Sequence, residues 1–183
     1  MRAPGVTSRP EGILIYPGNQ GGTNWYSPSY SPRTGLFYIP TWENYSSLFA
    51  KEPAEYTEGR LFLGGGPRTP AGTVGVGFGN NFRAEDEGYG AVRAIDPKTG
   101  EKKWDFKMTD VTEGGILTTA SDLLFSGGRE GYFFALDARS GKLLWKTVLG
   151  ANIASGPMTY SVGGRQYVAI GAGHALFAFA LRQ

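Results

Sequence analysis

The chain has 183 residues, with 18 lysines and arginines against 16 aspartates and glutamates, a net charge of +2. That balance, with no block of like charge, argues against nucleic acid or an anionic membrane as a partner. Cysteine is absent, which excludes disulfides, thiol catalysis and thiolate metal sites but leaves the compartment open.

The 29 glycines and 11 prolines, with aromatics at 14%, suit short strands and tight turns far better than helices, so the expected fold class is all-β. Residues 1–10 read as an irregular lead-in without the apolar core of a signal peptide. A short strand is predicted over Gly12 to Tyr16, then a glycine-rich turn over Pro17 to Thr23. Asn24 to Pro28 leads into Ser29-Tyr30-Ser31, a turn at Pro32 to Gly35 and a strand at Leu36 to Pro40. Residues 41–90 read as a long irregular excursion holding Glu55, Glu58, Arg60, the run Gly64-Gly65-Gly66-Pro67 and the stretch Gly75 to Phe82. Strand signals resume at Gly90 to Asp96. They continue through Lys103 to Met108, Ile116 to Ser126, Tyr132 to Asp137, Leu143 to Leu149, Gln166 to Ile170 and Ala175 to Leu181. The last segment has no polar alternation, the pattern of a strand buried on both faces. No apolar run is long enough to span a bilayer.

One turn occurs twice in register. Ala94-Ile95-Asp96-Pro97-Lys98-Thr99-Gly100-Glu101-Lys102-Lys103-Trp104 is echoed by Ala135-Leu136-Asp137-Ala138-Arg139-Ser140-Gly141-Lys142-Leu143-Leu144-Trp145, 41 residues later. Aspartate caps the turn, glycine supplies positive φ, and tryptophan fills the wedge to a neighbouring sheet. A repeat of about 40 residues with one aromatic per unit marks β-propeller blades of four antiparallel strands. The chain holds about three such blades, and a closed ring needs at least about four. The expectation is therefore one partial propeller over residues 1–183, regular from 91 onward, completed by further blades or by another chain.

The segment Pro17-Gly18-Asn19-Gln20-Gly21-Gly22-Thr23-Asn24-Trp25 and the following Ser29-Tyr30-Ser31-Pro32-Arg33-Thr34-Gly35-Leu36-Phe37-Tyr38 resemble quinoprotein alcohol dehydrogenases. So do the two Trp-ended turns and the run from Gly114 to Tyr132. The resemblance is to the C-terminal third of that family's eight-bladed propeller. It implies oxidation of a small alcohol to an aldehyde, with hydride passing to pyrroloquinoline quinone beside a calcium or lanthanide ion. It also implies a cytochrome c-type electron acceptor and a periplasmic location. By the same resemblance Asn24 and Trp25 lie near the quinone, and the backbone of Gly171-Ala172-Gly173, Ala172 above all, approaches it. The family's catalytic aspartate, metal ligands, adjacent cysteines and quinone-stacking tryptophan have no counterpart here. The expectation is thus no catalytic or metal-ligating residue in this chain, and no activity from the chain alone. Where many members carry tryptophan before the Gly-Gly run, this chain has Val111-Thr112-Glu113.

Other readings stay open. Trp25 also reads as a blade-packing residue, and Gly171 to Gly173 as an ordinary turn. His174, the only histidine, is either a channel-facing proton acceptor or a surface residue. Glu85-Asp86-Glu87 beside Asn80-Asn81 offers oxygen ligands for calcium, though its spacing matches no calcium loop and a solvated loop accounts for it. The glycine runs fit no phosphate-binding fingerprint. The alternative function is a non-catalytic propeller acting as scaffold or binding module, against which the Gly-Gly-Thr-Asn-Trp segment stands, since blade structure does not require it.

Overall fold

The computed structural model describes residues 13–18, 20–49, 55–60, 82–83 and 88–181. Among these, every regular element is a strand. In chain order they are β1 (Ile13–Ile15), β2 (Ser29–Ser31), β3 (Leu36–Glu43), β4 (Tyr45–Phe49), β5 (Phe82–Arg83), β6 (Tyr89–Ile95) and β7 (Lys102–Met108). They continue with β8 (Leu117–Thr118), β9 (Leu123–Gly127), β10 (Tyr132–Asp137), β11 (Leu143–Val148), β12 (Met158–Val162), β13 (Arg165–Ala172) and β14 (Ala175–Phe179). The chain divides into two compact units, Met1–Gly22 with Asn44–Gly88, and Thr23–Glu43 with Tyr89–Gln183.

The smaller unit holds the antiparallel sheet β1-β4-β5. Tyr45, Ser46 and Ser47 are buried in it. The larger unit holds three antiparallel sheets: β2-β3-β6-β7, β8-β9-β10-β11 and β12-β13-β14. The first two are four-stranded meanders, the blade architecture that the repeat predicts.

Two apolar layers join the three sheets. In the first, Tyr38, Val92, Ala94 and Met108 of the first blade meet Ile116, Leu124, Phe134, Leu136 and Ala138 of the second. In the other, Phe133 of the second blade meets Ile153, Val168, Ile170 and Ala172 of the third. Phe133 and Phe134 are adjacent in β10, so their side chains point to opposite faces, and each fills a different layer. The second blade is apolar on both faces because both are covered.

The repeated turns are built alike. Asp96 Oδ1 accepts from the Lys98 amide (2.9 Å), and Asp137 Oδ1 accepts from the amides of Arg139 (3.0 Å) and Ser140 (2.8 Å). Gly100 and Gly141 take φ of 74° and 72°, a region closed to most side chains. Trp104 then reaches the next blade. A Cβ on Gly141 would lie 2.6 Å from its ring, and the ring tilts on Tyr38 at 5.7 Å. Trp145 reaches forward in the same way, edge-on to Phe179 of the third blade at 5.4 Å, yet it stays 41% exposed.

Three details differ from the expectation. β3 continues past Pro40 to Glu43, and β4 begins at Tyr45, so ordered strands occupy the first part of the supposed excursion. Asn44 makes the break between them at φ 58°, a conformation that asparagine tolerates without glycine. β14, expected to be buried on both faces, is an edge strand paired, among the described residues, only with β13. Phe177 and Phe179 turn inward, but Leu176 is 77% exposed. Its second face has no neighbouring blade among the described residues. Third, Gly171 and Ala172 are the end of β13, and only Gly173 and His174 form the turn. The lead-in at 1–10, the runs at 64–67 and 75–80, and the acidic triplet at 85–87 lie outside the described residues.

Candidate functional site

The site begins where the glycine-rich turn enters the first blade. Asn24 Oδ1 accepts from the Trp25 amide at 2.8 Å, a short polar turn that lifts the indole outward. Trp25 is 73% exposed and packs into neither apolar layer of the described blades. Its ring tilts on Tyr26 at 4.7 Å, and buried Tyr26 stacks on Trp42 at 6.0 Å. Trp42 Nε1 donates to the Thr112 carbonyl at 2.7 Å. An aromatic column thus runs from solvent at Trp25 to the segment between β7 and β8.

That segment, Val111 to Ile116, is buried throughout without being a strand. Buried irregular backbone needs partners for its polar groups, and here neighbouring loops supply them. The Gly115 amide donates to the Ser155 carbonyl (3.2 Å) and the Ile116 amide to the Ser27 carbonyl (2.8 Å). Ser126 Oγ donates to the Gly115 carbonyl (3.0 Å), and Thr112 Oγ1 to the Gly127 carbonyl (3.1 Å). A Cβ at Gly115 would stand 2.9 Å from Gly156 Cα, and one at Gly114 would strike the Gly127 carbonyl. The Gly-Gly pair is therefore where loops of all three blades converge.

Ala172 joins this junction indirectly. Ser155 Oγ donates to the Gly171 carbonyl (3.0 Å) and accepts from its amide (3.1 Å), while the Gly173 amide donates to the Asn152 carbonyl (2.9 Å). Ala172 is 3% exposed, its methyl lies in the second apolar layer, and it pairs with Ala175 across the β13–β14 ladder. Asn24 and Trp25 are neighbours on one loop. The path from them to Ala172 runs through Ser27, Gly115 and Ser155. His174 is exposed in the β13–β14 turn.

The charges of the junction were hidden in the sequence. Glu113, noted there only as a replacement for tryptophan, is buried. Arg129 lies in the turn after β9, and its Nη1 is buried with no hydrogen-bond partner among the described residues. Both act on Tyr26, whose hydroxyl is pushed up to about 12 by burial first and by the Glu113 charge second, with Arg129 opposing. Tyr26 and Trp42 were legible only as aromatics; stacking and the Nε1 bond give them their place. Among the described residues no three His, Asp or Glu side chains cluster to hold a metal ion, and no helix is long and apolar enough to cross a membrane. An exposed indole face suits a planar ligand.

Comparison with known proteins agrees with this architecture. Residues 107–168 match the family described as glucose/ethanol/alcohol dehydrogenase, β-propeller domain. The quinoprotein ethanol dehydrogenase of Pseudomonas aeruginosa is 36% identical over 162 residues, 88% of this chain and 24% of that protein. The 1-butanol dehydrogenase (quinone) of Thauera butanivorans is 38% identical over 164 residues, 90% of this chain and 24% of that protein. Among solved structures, the quinohemoprotein alcohol dehydrogenase ADHIIG of Pseudomonas putida superposes with a TM-score of 0.71 at 30% identity, over 90% of this chain and 24% of that one. The fold is that of a dehydrogenase β-propeller. More narrowly, this chain belongs to the quinoprotein alcohol dehydrogenase family, and it spans about a quarter of the length of the relatives it matches.

Proposed function

We propose that these blades form one wall of the quinone pocket in an alcohol dehydrogenase whose remaining blades complete an eight-bladed ring. The observation that carries this reading is Trp25: a large apolar ring held out into solvent on a buried aromatic column, beside the glycine junction. An exposed indole offers a planar apolar face on which a planar ligand can stack. In this reading the bound pyrroloquinoline quinone accepts hydride from a small alcohol, with a calcium or lanthanide ion as Lewis acid.

This chain's residues bind and orient. Trp25 lies against the edge of the bound ligand, and the Asn24 amide donates to one of its oxygens. Backbone at Ala172 approaches closely because Gly171 and Gly173 on either side carry no side chains. Glu113 replaces an aromatic wall with a charge. The catalytic base and the metal ligands come from the rest of the ring, so the chain alone is inactive. The family resemblance is the sole basis for two further assignments, a periplasmic location and a cytochrome c-type acceptor. One relative is a 1-butanol dehydrogenase (cytochrome c).

The test is reconstitution of the complete protein with quinone and calcium or a lanthanide, followed by dye-linked alcohol oxidation. Quinone uptake and turnover by the complete protein, with neither from the 183-residue chain, are expected. A complete protein that takes up no quinone would leave the scaffold reading in possession. Trp25→Ala in the complete protein is expected to weaken quinone binding about tenfold, the scale of a lost stacking contact, with little change in melting temperature. A large loss of stability instead would return Trp25 to a packing role.

A further inference from the structure

A largely exposed indole has solvent on most sides and turns freely about its side-chain torsions unless something holds it. For Trp25, the Asn24 Oδ1 bond at 2.8 Å holds the backbone amide and not the ring. The ring meets Tyr26, at 4.7 Å and an interplanar angle of 47°. Tyr26 is buried and stacks on buried Trp42 of β3, at 6.0 Å and 23°. Trp42 is fixed in turn, since its Nε1 donates to the Thr112 carbonyl at 2.7 Å. Thr112 is itself anchored: its Oγ1 donates to the Gly127 carbonyl at 3.1 Å, and a Cβ on Gly90 of β6 would lie 2.6 Å from its amide nitrogen. Blade construction does not call for a tryptophan at this place. Tyr38 pairs with Ala94 in the first blade as Phe125 pairs with Ala135 in the second. Four residues further on, the first blade has Trp42 where the second has Arg129.

We propose that Trp42 is the positioning residue of this wall: clamped by the Thr112 carbonyl, it fixes the Tyr26 ring, which fixes the Trp25 indole in the orientation that meets the ligand. The inference rests on the quinone reading above. Trp42 is buried beneath Tyr26, so its influence on a ligand passes through the two rings above it. A side chain already held in its bound orientation loses less rotamer freedom on binding than a free one. Without the clamp Trp25 is still present, but it occupies several rotamers, and each binding event must order it.

The experiment is equilibrium titration of the complete apoprotein with pyrroloquinoline quinone, each variant being made in the wild type and in a Trp25→Ala background. Binding is read from quinone absorbance. Trp42→Phe keeps an apolar ring and removes the Nε1 donor. It is expected to weaken quinone binding at least about threefold in the wild type, the scale of one side chain ordered on binding. In the Trp25→Ala background the loss is expected to shrink below about 1.5-fold, because a residue that acts through Trp25 has nothing left to position. Tyr26 gives a second arm. Tyr26→Leu, which removes the intervening ring, is expected to follow the same pattern, whereas Tyr26→Phe, which keeps the ring, is expected to bind within about twofold of wild type. Losses of equal size in both backgrounds would show a merely structural effect and overturn the inference. So would full affinity in Trp42→Phe or Tyr26→Leu. If Trp42→Phe does not fold, the Tyr26 pair decides by itself. A wild-type protein that takes up no quinone would remove the quinone reading and this inference with it, whereas a wild type that binds, with losses that do not depend on Trp25, would remove only the role of Trp42.

Discussion

At the scale of single residues, side chains bridging two blades carry the sharpest consequences. Tyr38 is fully buried; its hydroxyl donates to the Ala138 carbonyl of the next blade (2.9 Å) and shares a hydrogen bond with Thr34 Oγ1 (2.6 Å). Tyr38→Phe strands a buried carbonyl and is expected to lower unfolding free energy by about 1–3 kcal/mol, measured by urea titration. Tyr26 makes a pH-dependent contribution. Its native value is about 12 against 10.0 unfolded, so the native state holds the proton more tightly. That stability is fully present below pH 10 and is lost as pH rises toward 12, by about 2–3 kcal/mol at most. Urea midpoints between pH 9 and 11.5 are expected to fall more steeply for wild type than for Tyr26→Phe; parallel slopes would contradict this. Residue identity at such points was only partly legible. Asp137 and Gly141 could be named from their turn. Arg129 could not, because nothing local shows that a guanidinium nitrogen will be buried unpaired.

Among elements, the two repeated turns behave differently although they share aspartate, glycine and tryptophan at the same offsets. Trp104 is closed over by Gly141 of the following turn, whereas Trp145 meets Phe179 but is 41% exposed. Trp104→Ala is therefore expected to destabilise the chain by about 3–5 kcal/mol and Trp145→Ala by distinctly less, compared by thermal or urea unfolding. The repeat was readable because aspartate, glycine and tryptophan each meet a local demand at fixed spacing. β10 was readable because both its faces are covered. The same logic misjudged β14, since an apolar strand states what its faces require and not whether the neighbour is present. The β3–β4 region was misread for another reason: Asn44 takes the positive φ that glycine usually marks, so no punctuation announced the strands on either side.

For the whole molecule, the third sheet presents an apolar face: Met158, Tyr160, Val162 and Leu176 are 61%, 40%, 63% and 77% exposed. Register places Met158 beside Ala169, Tyr160 beside Tyr167 and Val162 beside Arg165 on one side of the sheet. Tyr160 and Tyr167 stack at 5.3 Å. This side of the third blade matches in character the sides that the first and second blades bury against each other, and in a ring it would be covered by a further blade. Charged residues make up 19% of the chain, thin for a surface wholly in water. The number of blades in the ring and the location of its chemistry were read from the family resemblance alone.

The most direct test of the sector reading is amide hydrogen exchange of β12 to β14, measured in the 183-residue chain and in the complete protein. Covered strands exchange only through large-scale opening, whereas strands with an open face and edge exchange by local fraying. Protection of Met158 to Phe179 is expected to be at least about a hundredfold higher in the complete protein, with Phe133 and Phe134 protected in both. Equal protection of β12 to β14 in both would contradict the reading of these blades as one part of a closed ring.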